Sequence, residues 1–345
     1  MAKLRVLVAE DSVTARRLLV MLLGADPELE VVGEASNGLE AVERCKKLRP
    51  DLVTMDIKMP VMDGVEATRR IMIESATPVV MVSSLDANDV RSSMQALEAG
   101  ALAVLAKPAG PGSPHFARDS RELVTTIKGM AQVKLVRRWP TIPPYREVPA
   151  RLEVPDAWDI AVVGLVSSTG GPNALRSVLS ALPADFAPPI LIVQHIAAGF
   201  AEGLAEWLTS TTKRRVTLAS DGETFVAGAV YIAPDDRHLE VTRDRLHVTA
   251  SVPIDGFRPS GTRLFSSLAA VFGPRAIGVI MTGMGRDGVA GLLEMRGAGS
   301  AVLAQDEASC DIFGMPGAAV AAGAVTTTTP LSEIPTRLVE LVAKD

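Results

Sequence analysis

Short apolar runs alternate with amphipathic stretches from the first residues of the chain. Leu4–Ala9, Val31–Ala35, Leu52–Met55, Pro78–Ser83 and Ala103–Ala106 are apolar runs of strand length. Between them, Val13–Leu23, Leu39–Lys47, Val65–Ile73 and Asn88–Leu97 carry apolar residues at helical spacing. Five strands separated by helices within the first 108 residues predict one doubly wound α/β domain, a parallel sheet with ligands at the carboxyl ends of its strands. After Lys107-Pro108 the chain turns to Ala-Gly-Pro-Gly-Ser-Pro-His, poor material for regular structure. A helix is expected over about 118–136, followed by a proline-spaced stretch through Pro155, which together read as a linker carrying one helix.

The alternation returns at Asp159. Ile160–Gly164, Ile190–Val193, Ala276–Met281 and Ala301–Ala304 suit buried parallel strands. Ala229–Ala233, Leu239–Thr242 and Leu246–Ala250 suggest antiparallel additions at an edge. Helical patterns at Ala174–Leu182, Gly203–Thr211, Thr262–Val271, Gly288–Gly297 and Leu331–Val342 complete a second α/β domain. The expected layout is a first domain over 1–125, a linker over 126–157 and a second domain over 158–345.

Length and composition narrow the function classes. The 345 residues are 48% hydrophobic and 22% charged, which leaves room for two cores and excludes wholesale disorder. No apolar run reaches about 18 residues, so no membrane insertion is expected, and the amino terminus lacks an export signal. A cytoplasmic, monomeric protein is the expectation. Cys45 and Cys310 stand far apart and form no CxxC pair, which argues against a disulfide framework or a thiolate zinc site. The net charge of -5 divides into -3 over residues 1–108, +3 over 109–158 and -5 over the rest. No nucleic-acid partner is expected from such mild acidity, because phosphate recognition needs concentrated Lys and Arg.

Two groups of residues carry candidate chemistry. Glu10 and Asp11 follow the first strand and Asp56 the third, so three carboxylates converge on one rim of the sheet. At about 4 Å and an effective dielectric near 20, each like-charged pair costs roughly 4 kcal/mol. The cluster therefore calls for cations: Mg²⁺, which prefers oxygen ligands, and Lys107 at the end of the fifth strand. Ser83 ends the fourth strand on the same rim. Glu10, Asp11, Asp56, Ser83, Lys107 and Pro108 together resemble the receiver domain of bacterial response regulators, a flavodoxin-like five-stranded fold, over about residues 3 to 130. That resemblance implies that Asp56 is a phosphoacceptor served by a histidine kinase, that Glu10, Asp11 and Asp56 hold Mg²⁺, and that Ser83 and Lys107 bind the phosphoryl group. At the switch position, where many receivers carry an aromatic residue, this chain has Val104.

In the second half, the strand ending at Gly164 runs into Leu165-Val166-Ser167-Ser168-Thr169-Gly170-Gly171-Pro172, after which a helix begins. A serine at such a turn presents its hydroxyl outward beside backbone N–H groups. The competing reading, a phosphate loop, is argued against at this turn, which holds neither GxxxxGK[ST] nor GxGxxG. His195 follows the Ile190 strand, whereas His238 and His247 fall in the expected edge and His115 in the Gly- and Pro-rich stretch after Pro108. Asp287, in Met281-Thr282-Gly283-Met284-Gly285-Arg286-Asp287-Gly288, follows a third strand, where it suits either a helix cap or the third member of a triad. Ser168, His195 and Asp287 have the residue types of a nucleophile, a general base and its orienting carboxylate. Their order, with Ser-Thr-Gly-Gly-Pro, Gln-His, Arg258-Pro259-Ser260 and Phe313-Gly314-Met315-Pro316, resembles the chemotaxis protein-glutamate methylesterases of the CheB family over about residues 158 to 345.

The resemblance implies removal of γ-methyl groups from glutamyl esters on chemoreceptor cytoplasmic helices, with release of methanol, and deamidation of glutamines there. It also implies backbone support of an oxyanion around Thr169 and Met284, no cofactor for hydrolysis, and a receiver that covers the active site until Asp56 is phosphorylated. The family's glycine two residues before the serine is Val166 here, with Gly164 displaced, so Ser167 is the rival nucleophile. The alternative function is a response regulator whose second domain only binds a partner.

Overall fold

The computed structural model describes residues 3–84, 87–114, 116–133 and 160–343. His115 and the proline-spaced remainder of the expected linker lie outside them. The chain divides into two compact units.

The amino-terminal unit alternates β1 (Leu4–Ala9), α1 (Val13–Gly24), β2 (Leu29–Ala35), α2 (Gly38–Leu48), β3 (Leu52–Met55), α3 (Gly64–Glu74), β4 (Val79–Ser83), α4 (Ala87–Glu98), β5 (Ala103–Ala106) and α5 (Phe116–Met130). The five strands form one parallel sheet in the order β2-β1-β3-β4-β5. Polar residues ahead of the helices set their starts: Ser12, Asn37 and Asp63 accept hydrogen bonds from the N–H groups of Ala15, Glu40 and Glu66. The strand order reverses between β1 and β3, so Glu10-Asp11 and Asp56 emerge side by side. The helix expected over 118–136 forms as α5, ending at Met130. It buries Leu123, Ile127 and Met130, and Lys128 reaches Asp26 and Glu28 at 3.2 and 2.8 Å.

The carboxyl-terminal unit contains β6 (Val162–Ser167), α6 (Gly171–Ala181), β7 (Ile190–Gln194), α7 (Ala201–Thr212), β8 (Val216–Leu218), β9 (Val230–Ile232), β10 (His238–Thr242), β11 (Arg245–Thr249), α8 (Gly261–Phe272), β12 (Ala276–Ile280), α9 (Val289–Gly297), β13 (Ala301–Gln305), α10 (Met315–Ala321), β14 (Thr328–Thr329) and α11 (Ile334–Val342). Seven strands form a parallel sheet in the order β14-β13-β12-β6-β7-β9-β8. One sequence expectation fails here. Ala229–Ala233 was expected to pair antiparallel, but β9 lies parallel between β7 and β8, because a three-residue apolar strand carries no periodicity that could reveal its direction. Only β10 and β11 form an antiparallel pair, a separate two-stranded sheet. β6 runs to Ser167, three residues beyond the expected end, and its register with β7 and β12 brings three strand ends level. Below them, Arg214 is buried and its guanidinium donates to the carbonyls of Leu179, Leu182 and Pro183, satisfying carbonyls at and just beyond the end of α6. No helix among the described residues is long and apolar enough to cross a membrane.

Candidate functional site

β6 is flanked by β12 on one side and β7 on the other, with the chain leaving it toward β7 and returning later to β12. This is the switch point at which doubly wound sheets hold ligands. Ser168 stands one residue past β6, His195 one past β7, and Asp287 in the turn between β12 and α9. His195 Nε2 lies 2.9 Å from Asp287 Oδ2. Its other ring nitrogen, Nδ1, is buried and has no hydrogen-bond partner among the described residues. A buried polar nitrogen left so costs free energy unless a reacting group uses it.

Asp287 does not cap α9, whose N-cap Gly288 makes no side-chain cap bond. It lies instead against the amino terminus of α8. Ser260 Oγ donates to Oδ1 at 2.7 Å, Gly261 N–H to Oδ2 at 2.5 Å and Thr262 N–H to Oδ1 at 3.2 Å. Burial alone would raise its pKa, but the hydrogen bond and charge of His195, together with these donors, outweigh burial and hold it at about 2. The carboxylate is therefore ionised throughout the range in which a histidine exchanges protons.

The structure separates the two serines. Ser167 is fully buried, and its hydroxyl donates to Gln194 Oε1 at 2.6 Å. Gln194 Nε2 in turn donates to the carbonyls of Ser168 and His195, both at 2.7 Å, so one amide ties the ends of β6 and β7 together. Ser168 is half-buried, its N–H bonds to the Thr282 carbonyl at 3.0 Å, and its hydroxyl has no partner among the described residues. Thr169 follows it, its carbonyl accepting from Thr282 Oγ1 at 2.9 Å, and Met284 lies in the loop after β12, next to Gly283, where a Cβ would stand 2.7 Å from Ser168 Cβ. In the sequence Gln194 shows only as part of the Gln-His motif, and its tie between the two strand ends needs contacts that sequence does not display. The donors on Asp287 are likewise hidden in the sequence, where Ser260 stands only as the last residue of the Arg258-Pro259-Ser260 motif.

Val166, the departure from the expected glycine, is accommodated by a glycine elsewhere. A Cβ on Gly261 would stand 2.4 Å from Val166 Cγ1, so the isopropyl group occupies the space that a side chain at 261 would need. Gly261→Ala is expected to lower stability by about 1–3 kcal/mol through overpacking and to displace an N–H from Asp287. In a Val166→Ala background the same substitution should cost at least 1 kcal/mol less, by about the coupling expected of residues in contact. Denaturant midpoints of the four proteins in this cycle measure the coupling, and additive losses would refute it.

The amino-terminal site gathers the other candidates. Lys107 Nζ lies 2.9 Å from Asp56 Oδ1, 2.9 Å from Glu10 Oε2 and 3.1 Å from Glu10 Oε1. Burial pushes Lys107 down, but its bonds to Asp56 and Glu10 prevail and hold it above its ordinary value. Burial raises both Asp56 and Glu10 from their ordinary values despite Lys107. One oxygen each from Glu10, Asp11 and Asp56 fall within 4.8 Å of one another. Glu10 Oε2 is buried and pairs with Lys107 by charge but not in hydrogen-bonding geometry, so it is an acceptor with spare capacity. Three hard carboxylate oxygens, with spare acceptor capacity at Glu10, fit a divalent cation such as Mg²⁺. Ser83 is buried at the end of β4, its hydroxyl donates to the Ser84 carbonyl at 3.2 Å, and the Ser83 carbonyl accepts from Lys107 N–H at 2.8 Å. Val104, at the switch position, is buried in β5.

Known proteins match both units. The model of the CheB methylesterase family matches residues 163–338, and that of the response regulator receiver domain matches residues 6–113. Protein-glutamate methylesterase/protein-glutamine glutaminase 4 of Myxococcus xanthus is 54% identical over 338 residues, 97% of this chain and 96% of that protein. The enzyme numbered 3 with the same description in Anaeromyxobacter dehalogenans is 55% identical over 322 residues, 93% of this chain and 94% of that one. The crystal structure of the Thermotoga maritima CheB methylesterase catalytic domain superposes with a TM-score of 0.51 at 37% identity, covering 53% of this chain and 99% of that domain. With matches of this extent to both of its α/β units, the chain belongs to the CheB methylesterase family, in the form that carries a response regulator receiver domain ahead of the esterase.

Proposed function

We propose that the protein is a phosphorylation-regulated protein-glutamate methylesterase and protein-glutamine glutaminase that acts in the cytoplasm on the helices of chemoreceptors. The observation that carries this reading is the buried, unpartnered His195 Nδ1, on a ring whose Nε2 is held by an ionised Asp287, at the end of the strand paired with the one that Ser168 follows. Ser168 Oγ attacks the γ-carbonyl carbon while Nδ1 takes the hydroxyl proton. The carbonyl oxygen becomes an oxyanion, supported by the backbone N–H groups of Thr169 and Met284. As the tetrahedral intermediate collapses, the C–O bond to the methoxy group breaks and Nδ1 returns the proton to it, giving methanol. A glutamine loses ammonia by the same steps. Water then attacks the acyl-serine, losing its proton to Nδ1; the bond to Ser168 Oγ breaks as Nδ1 passes that proton to it, which restores the serine and leaves a glutamate side chain. Asp287 stays ionised throughout and stabilises the imidazolium.

In the receiver, a histidine kinase supplies the phosphoryl group and an Asp56 carboxylate oxygen accepts it. Mg²⁺ held by Glu10, Asp11 and Asp56 neutralises charge on the phosphoryl oxygens when bound. The Lys107 ammonium, already between Glu10 and Asp56, balances the added charge, and Ser83 turns its hydroxyl from the Ser84 carbonyl to the phosphoryl group. A switch from 1:99 to 99:1 needs about 5.5 kcal/mol of differential stabilisation. A small phosphodonor with Mg²⁺ is expected to raise methanol release from methylated receptor by up to about 100-fold in the wild type, the ceiling such a switch sets, and not at all in Asp56→Asn. Equal wild-type rates with and without phosphodonor contradict the regulation; an inactive wild type under both conditions contradicts the esterase and favours a partner-binding second domain.

A further inference from the structure

The aromatic ring of Phe257 lies on the His195 imidazole, with centroids 4.4 Å apart and planes 14° from parallel. Its placement is built by local geometry on both sides. On the amino-terminal side, Ile254 and Phe257 exchange both backbone hydrogen bonds, at 3.1 and 2.9 Å, across Asp255 and Gly256, whose φ values are 50° and 87°. Two positive φ angles between such a pair make a type I′ hairpin turn, which Asp-Gly suits because glycine meets no steric penalty there. On the carboxyl-terminal side, the Arg258 guanidinium is anchored on Asp236 and on the carbonyls of Ala250 and Ser251. Two residues later come Ser260, Gly261 and Thr262, the three donors to Asp287. A single segment of six residues thus holds a face of the imidazole at one end and the carboxylate paired with that imidazole at the other.

We infer that Phe257 is a positioning residue for the hydrolysis, holding the His195 ring between its own face and Asp287 and stabilising the imidazolium through its π-electron face. Neutral imidazole and imidazolium both stack, but only the cation is attracted by the ring quadrupole, and the cation forms as Nδ1 takes the serine proton. The contact is therefore stronger in the transition state than in the ground state, which is the condition for raising kcat rather than lowering KM. The inference rests on the reading of His195 as the proton acceptor.

The test substitutes 4-fluoro-, 3,5-difluoro- and pentafluorophenylalanine at position 257 of the full chain and measures kcat and KM for methanol release. Fluorination drains the π face while keeping the ring's shape, so a residue that only fills space leaves kcat unmoved. A graded fall is expected, reaching about 3- to 30-fold for the pentafluoro ring, with KM nearly constant. Phe257→Leu is expected to fall at least as far, and Phe257→Tyr to restore most of the rate because it keeps the aromatic face. A flat fluorine series, or a wild-type kcat in Phe257→Leu, overturns the proposal. His195→Ala separates the two readings: near-total loss there with a flat fluorine series leaves the base in place and removes Phe257's role, whereas a retained rate removes both.

Discussion

Ser168→Ala is expected to reduce methanol release by about 10⁴- to 10⁶-fold, because removal of a serine nucleophile leaves only binding and oxyanion stabilisation. Stability should change little, since the half-buried Ser168 hydroxyl makes no hydrogen bond among the described residues. Ser167→Ala should behave in the opposite way. That hydroxyl is buried and its loss strips the donor from Gln194 Oε1, a cost of about 1–3 kcal/mol in stability. The same amide holds the carbonyls of Ser168 and His195, so the rate should drop by about 10-fold or less, the equivalent of roughly 1.4 kcal/mol, through misplacement of the two reacting groups. Turnover assays beside denaturant unfolding of both variants distinguish the serines. Near-complete inactivation by Ser167→Ala, with Ser168→Ala active, would reverse the assignment.

The strand ends that build both sites could be read from apolar runs alone, since a parallel sheet buried on both faces shows itself as hydrophobic segments that stop at polar residues. Asp56, Ser83, Lys107, Ser168 and His195 all stand at or one residue beyond such stops, and Asp287 lies in the loop that follows one. What escaped the sequence is what depends on contacts between distant segments. Asp287 is held by residues 25 to 27 positions earlier, at the start of α8, and nothing in either stretch names the other. Val166 read as a departure because its compensating glycine, Gly261, lies in that same distant segment. Phe257 has no helical or strand periodicity around it, and its ring meets His195 only once a hairpin turn has folded the chain back. The strands β8 and β14, three and two residues long, are too short to show a period, and with β9 they account for the errors in the sheet. Elements set by periodicity were therefore legible, and those set by tertiary pairing were not.

Asp287→Asn is expected to lower kcat by about 10³- to 10⁴-fold while leaving KM within a few-fold. The donor set around this side chain specifies a carboxylate. Oδ2 accepts from Gly261 N–H and faces His195 Nε2, and Oδ1 accepts from Ser260 Oγ and Thr262 N–H. An asparagine must aim its NH₂ at one of these two sets, so a backbone N–H then opposes another donor whichever way the amide turns. With the NH₂ toward His195, the ring must accept at Nε2 and carry its proton on Nδ1, which disables the atom that takes the serine proton. With the oxygen toward His195 the tautomer survives, but the negative charge that stabilises the imidazolium is gone. Acid unfolding gives an independent reading. The carboxyl sits at about 2 in the fold against 3.8 ordinarily, so its ionised form contributes stability fully above pH 3.8 and loses that contribution as the pH falls toward 2. The difference is worth about 2 kcal/mol. The wild type should lose that increment across this window, and Asp287→Asn, having no proton to bind there, should not. Identical acid dependence in the two proteins, or a kcat reduced less than about tenfold, equivalent to roughly 1.4 kcal/mol, would show that the carboxylate at 287 is neither ionised nor paired as its contacts require.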